Sequence, residues 1–99
     1  MVIRNVELPS AAIAEFCVRH HIRRLALFGS VLREDFGPGS DLDILVEFEA
    51  GHTPGLAFFA IQQELSELLG RPVDLNTPGF LSRYFRDEVL REAVVAYER

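Results

Sequence analysis

Leu25-Ala26-Leu27-Phe28-Gly29-Ser30, followed after ten intervening residues by Asp41-Leu42-Asp43-Ile44-Leu45-Val46, decides how this chain is read. The first segment is an apolar run closed by a small-residue turn, as expected of a buried strand ended by Gly29. The second sets two carboxylates into an otherwise hydrophobic strand. Alternation sends Leu42, Ile44, Val46 and Phe48 to one face and Asp41, Asp43, Leu45 and Glu47 to the other. Anionic groups among aliphatic neighbours are unfavourable unless a cation compensates them. A divalent metal carrying a nucleoside triphosphate suits that demand.

The rest of the chain arranges itself around this pair. Pro9-Ser10 opens a helix with Ala12, Ile13, Phe16 and Cys17 on one face, and His20 lies at its end as a cap favoured by the helix dipole. His21 and His52 show no partner in the sequence and read as solvated. Ser30 to Asp35 reads as a short helix, and Phe36-Gly37-Pro38-Gly39 as a turn. Thr53-Pro54 starts a helix that runs to Leu69 and stops at Gly70. Val73-Asp74-Leu75 is a short strand carrying a third acid, and Phe80 to Tyr97 reads as a closing helix. The predicted order is α-β-α-β-α-β-α. The link between the first two strands is too short for a full crossover helix. The expected fold is therefore α/β (α+β), a small mixed sheet flanked by helices.

Composition narrows the function. The 99 residues suit one small domain, 1–99, with a single core. No run is long and apolar enough to cross a membrane, and Glu7 interrupts any leader-like start, so a cytoplasmic protein is expected. Cys17 is the one cysteine, which excludes an internal disulfide. The net charge is −5, and every Lys or Arg position is Arg. That balance disfavours binding to nucleic acid backbones, so nucleotides would be handled as small molecules bridged by metal.

Residues i and i+2 of a strand root about 6–7 Å apart on one face. Asp41 and Asp43 can thus converge on Mg²⁺, and Asp74 adds a ligand if its strand pairs alongside. Three carboxylates suffice for two ions about 3.5–4 Å apart, the arrangement for in-line displacement at phosphorus. The oxygen-only set argues against zinc at that place. Gly29 admits a phosphate close to the backbone, the Ser30 hydroxyl adds a donor, and Arg33, one turn along, is within reach of a triphosphate.

Together, Gly29-Ser30, ten residues and Asp41-Leu42-Asp43 resemble the Gly-Ser-x₁₀-Asp-x-Asp signature of the polymerase-beta-like nucleotidyltransferases. The fuller run Leu27 to Asp35 and Ser40 to Val46, with Val73-Asp74-Leu75-Asn76 and Arg86 to Ala93, looks like the minimal nucleotidyltransferase branch. The resemblance implies a nucleotidyltransferase-type fold, Mg²⁺ dependence with two ions, and ATP as donor. It implies Asp41, Asp43 and Asp74 as metal ligands and catalytic residues. It places Gly29 and Ser30, with Arg33 and Ser40 beside them, at the nucleotide. It also implies an antitoxin that transfers AMP to a tyrosine of a HEPN-type toxin. One departure stands out: many relatives carry glycine after the arginine of this motif, where this chain has Glu34.

The alternative from another class is a non-catalytic module that neutralises its partner by docking alone. Leu56 and Phe59 fall outside the stripe of Phe58, Ile61, Leu65 and Leu68, which widens the apolar band of that helix. A nucleotidyltransferase acting on a small-molecule hydroxyl is a third reading, disfavoured because such enzymes generally add an acceptor domain.

Overall fold

The structure is a computed structural model that describes residues 1–3, 6–33, 37 and 39–99. A short hairpin of β1 (Val2–Ile3) and β2 (Val6–Glu7) leads into helix α1 (Ser10–Arg19). Strand β3 (Ile22–Phe28), a 3₁₀ turn at Gly29–Leu32 and strand β4 (Leu42–Phe48) follow. A second 3₁₀ turn (Gly55–Ala57) enters helix α2 (Phe58–Leu69), which precedes strand β5 (Val73–Asn76). A third 3₁₀ turn (Pro78–Phe80), helix α3 (Arg86–Glu92) and strand β6 (Val94–Glu98) complete the chain.

The four-stranded sheet has the order β5-β4-β3-β6. Strand β3 is antiparallel to β4 and β6, whereas β4 and β5 run parallel. The sheet is mixed, as the short β3–β4 link requires. Helix α2 makes the crossover between the parallel pair.

The two faces of the sheet have different tasks. Leu25 and Leu27 of β3, Leu42, Ile44 and Val46 of β4, and Val73 and Leu75 of β5 point into the main core. There they meet Ile13, Phe16 and Cys17 of α1 and Phe58, Ile61 and Leu65 of α2. The hairpin adds Ile3 and Val6 to that core. The opposite face carries Phe28, Asp43, Ala26 and Leu45, which are register partners on β3 and β4. Ala26, Leu45 and Leu81 are buried outside the main core. The second face is therefore covered in its middle and open at the acidic end.

Three expectations need correction. The closing helix does not run from Phe80 to Tyr97: it spans only Arg86–Glu92, and Ala93 is already extended (φ −60°, ψ 139°). The Val94-Val95 pair favours a strand, and the open edge of β3 offers backbone partners that a longer helix would leave unmet. Leu25 pairs with Tyr97 and Leu27 with Val94 there. Second, the motif turn is a four-residue 3₁₀ segment, and Glu34, Asp35, Phe36 and Pro38 lie outside the described residues. Third, α2 begins at Phe58, because Pro54 opens a 3₁₀ turn with no side-chain cap. Gly70 does stop α2, in the left-handed conformation (φ 71°), and its N–H donates to the Ser66 carbonyl.

Candidate active site

The Gly29 bend and the acid strand are built against each other. Gly29 has φ +71°, a conformation that L side chains rarely adopt. A Cβ there would collide with Asp43 Oδ2 and come within 3.0 Å of its Cγ. Only glycine lets β3 turn this tightly beside the carboxylate. The Ser30 amide donates to Asp43 Oδ2 at 3.4 Å, and the Ser30 hydroxyl donates to the Asp41 carbonyl at 3.2 Å. Ser30 thus fastens the turn to the start of β4, a role not legible in the sequence.

The third acid arrives through sheet topology. In the parallel β4–β5 ladder Asp43 is the register partner of Asp74, and Leu45 of Asn76. Register partners share a face about 4.8 Å apart at the backbone, so both carboxylates rise from the open end of the second face. Burial raises the Asp43 carboxyl above its ordinary value of 3.8, and the charges of Asp74 and Asp41 push it the same way. The Ser30 hydrogen bond and the Arg33 charge oppose that shift without cancelling it. Among the described residues no ion pair reaches Asp41, Asp43 or Asp74. The cluster is a set of oxygen donors whose mutual repulsion a cation would relieve, and it fits a hard divalent ion such as Mg²⁺.

A cleft of about 490 Å³ opens over these residues. Gly29, Arg33, Asp43 and Asp74 line it, whereas Ser30, Ser40 and Asp41 stand outside its lining. Asp41 is exposed just before β4. Ser40 accepts a hydrogen bond from the Gly37 amide and so closes the preceding turn instead of facing the cleft. Asn76, Phe80, Phe85, Glu88 and Glu92 line the cleft as well. In sequence Glu88 and Glu92 fall on the charged, solvent-facing side of the closing helix, and both are exposed. Their i, i+4 spacing was the available signal, because it sets both carboxylates on one side of α3.

The sequence profile of the nucleotidyltransferase domain matches residues 10–96. The chain belongs to that family. MJ0435 of Methanocaldococcus jannaschii, whose name proposes protein adenylyltransferase activity, is 34% identical over 91% of this chain and 96% of its own length. The protein adenylyltransferase MntA of Thermococcus cleftensis is 39% identical over 77% of this chain and 76% of its own. A solved structure assigned as a minimal nucleotidyltransferase superposes with a TM-score of 0.71 at 40% identity, covering 86% of both chains. A crystal structure of a toxin–antitoxin with AMP-PNP gives a TM-score of 0.74 at 22% identity over 93% of this chain and 75% of its own, a likeness of fold. The mixed sheet flanked by helices is the architecture expected from the sequence; the expected order held four helices and three strands, whereas the described residues form three helices and a four-stranded sheet beside a short hairpin.

Proposed function

We propose that this chain is a Mg²⁺-dependent protein adenylyltransferase that transfers AMP from ATP to a tyrosine hydroxyl of a HEPN-type toxin, and so acts as its cytoplasmic antitoxin. The observation that carries the reading is the register of Asp43 against Asp74 beside the Gly29 bend. The named activity of MntA, at 39% identity, supports the reaction class. A structural neighbour described as a tri-AMPylated Shewanella oneidensis HEPN toxin in complex with an MNT antitoxin supports the partner class.

In the proposed reaction the acceptor hydroxyl oxygen attacks the α-phosphorus of ATP. The bond from that phosphorus to the bridging oxygen breaks, pyrophosphate leaves, and the hydroxyl proton passes to solvent or a carboxylate. Asp41, Asp43 and Asp74 would hold two Mg²⁺ ions, which supply charge neutralisation at the triphosphate and orient the attacking oxygen. Gly29 keeps the backbone clear of the phosphates. Arg33, on the cleft wall, offsets their charge. Phe80 and Phe85 provide apolar surface for a base to stack against.

The test is intact-mass spectrometry of a HEPN-type partner protein from the same genome, after incubation with the chain, ATP and Mg²⁺. Addition of AMP by the natural chain and its loss in Asp43→Asn is the expected result. An unchanged partner mass with the natural chain would overturn the proposal. Docking alone is the second reading, favoured by the exposure of Leu56 (89%) and Phe59 (65%). It predicts that an Asp41→Asn, Asp43→Asn, Asp74→Asn variant still protects cells from the toxin.

A further inference from the structure

His21, Glu49 and His52 meet at the end of the β3–β4 pair opposite the carboxylate cluster, and the proposed function makes no use of them. We propose that they form a second divalent-metal site, for Zn²⁺ or a comparable transition ion.

One ligand atom from each residue lies within 4.8 Å of the other two. His21 Nδ1 and Glu49 Oε2 are 3.6 Å apart, too far for a good hydrogen bond. Two ligands at about 2.0–2.1 Å from one tetrahedral ion sit roughly 3.4 Å apart, close to that separation. The Glu49 carboxylate is anchored from behind: Arg99 Nη1 donates to Oε1 at 2.6 Å, which leaves Oε2 turned toward His21. Such a partner behind a ligand fixes its orientation.

The backbone ties the three residues into one unit. The Glu49 amide donates to the His21 carbonyl at 2.8 Å, and the His52 amide donates to the Glu49 carbonyl at 3.0 Å. His21 is the one non-glycine with positive φ (58°) among the described residues, in the turn between α1 and β3. Glycine is the unstrained choice there, so an imidazole is kept against a backbone cost. The two rings stack at 3.9 Å between centroids and 13° between planes. His52 is exposed on the loop before α2, so its ring can turn to bring a nitrogen to the ion.

The donor set chooses the ion. Two imidazoles and a carboxylate suit Zn²⁺ and its transition-metal neighbours, whereas Mg²⁺ prefers oxygen ligands such as those of the aspartate cluster. A bound ion would clip the α1–β3 turn, the end of β4 and the loop toward α2 together, with a coordination position left for water.

The test titrates Zn²⁺ alone into the tag-free full chain against a chromophoric chelator, with excess Mg²⁺ present to occupy the aspartates. The expected result is one Zn²⁺ per chain, held at least tenfold more weakly by His52→Gln and by His21→Gly. Glycine relieves the backbone strain at 21, so that variant keeps its fold, and circular dichroism checks both. Zinc should also raise the melting temperature of the natural chain but not of the double variant. Failure of the natural chain to bind Zn²⁺, or equal binding by the double variant, overturns the proposal.

Discussion

Asp43 and Asp74 stand opposite each other across the parallel β4–β5 ladder, and the Gly29 bend lies so close to Asp43 that no side chain fits between. Neither acid is near the other in sequence, and the helix α2 crossover separates them. The closeness of two like charges in this partly buried corner determines how the protein should respond to substitution, pH and metal.

Gly29→Ala should cost about 1–2 kcal/mol from the left-handed backbone alone. The new methyl must also displace the Asp43 carboxylate. A shift of about 1 Å at a reacting centre is worth about a hundredfold in rate. Steady-state adenylyl transfer with and without the substitution measures this, and wild-type activity in Gly29→Ala would refute the packing argument.

If Asp74 holds the proposed metal, Asp74→Asn should lower kcat by about a hundredfold or more, since a bound ion stabilises transition-state charge by several kcal/mol. Asp74 is exposed, so its melting curve should stay near that of the natural chain. Retained activity would take Asp74 out of the metal site.

Stability without metal should depend on pH through Asp43. Its carboxyl is raised above 3.8 by burial and by the neighbouring acids, so the folded state prefers the neutral form. That stabilisation is complete below 3.8 and is lost as pH rises through the folded value. At neutral pH, Asp43→Asn should therefore raise the melting temperature of metal-free protein by a few degrees, and the gain should vanish in acid. Mg²⁺ should stabilise the natural chain more than the variant. Differential scanning fluorimetry across pH, with and without Mg²⁺, reads both effects.

Cys17 is buried on α1, and burial pushes its thiol up to about 12. It should resist thiol reagents at pH 8 in the native state and react at a rate set by unfolding. Labelling as fast as that of a free thiol would contradict this packing.

Phe16 is fully buried where α1 meets the sheet. Phe16→Ala should cost about 3–5 kcal/mol, a large share of the stability of a domain this size. Urea denaturation is the measurement, and a loss under 1 kcal/mol would mean the core relaxes around the cavity.

Local chemistry made much of this protein legible in its sequence. Gly29 before Ser30, Asp43 within β4 with Asp41 just ahead of the strand, Gly70 after α2 and the short β3–β4 link each act over a few residues, where turn conformation and strand alternation decide the outcome. The same sequence could not reveal that Val94–Glu98 leaves the helix. A helix-compatible stretch became a strand because β3 had an unpaired edge to fill. Nor could it place Asn76, Glu88 and Glu92 on the cleft, turn Ser30 onto Asp41, or bring His21 against His52 across thirty residues of chain. Those relationships depend on which strand lies beside which, and that choice is made by long-range backbone pairing and burial of the shared core, which no local pattern encodes.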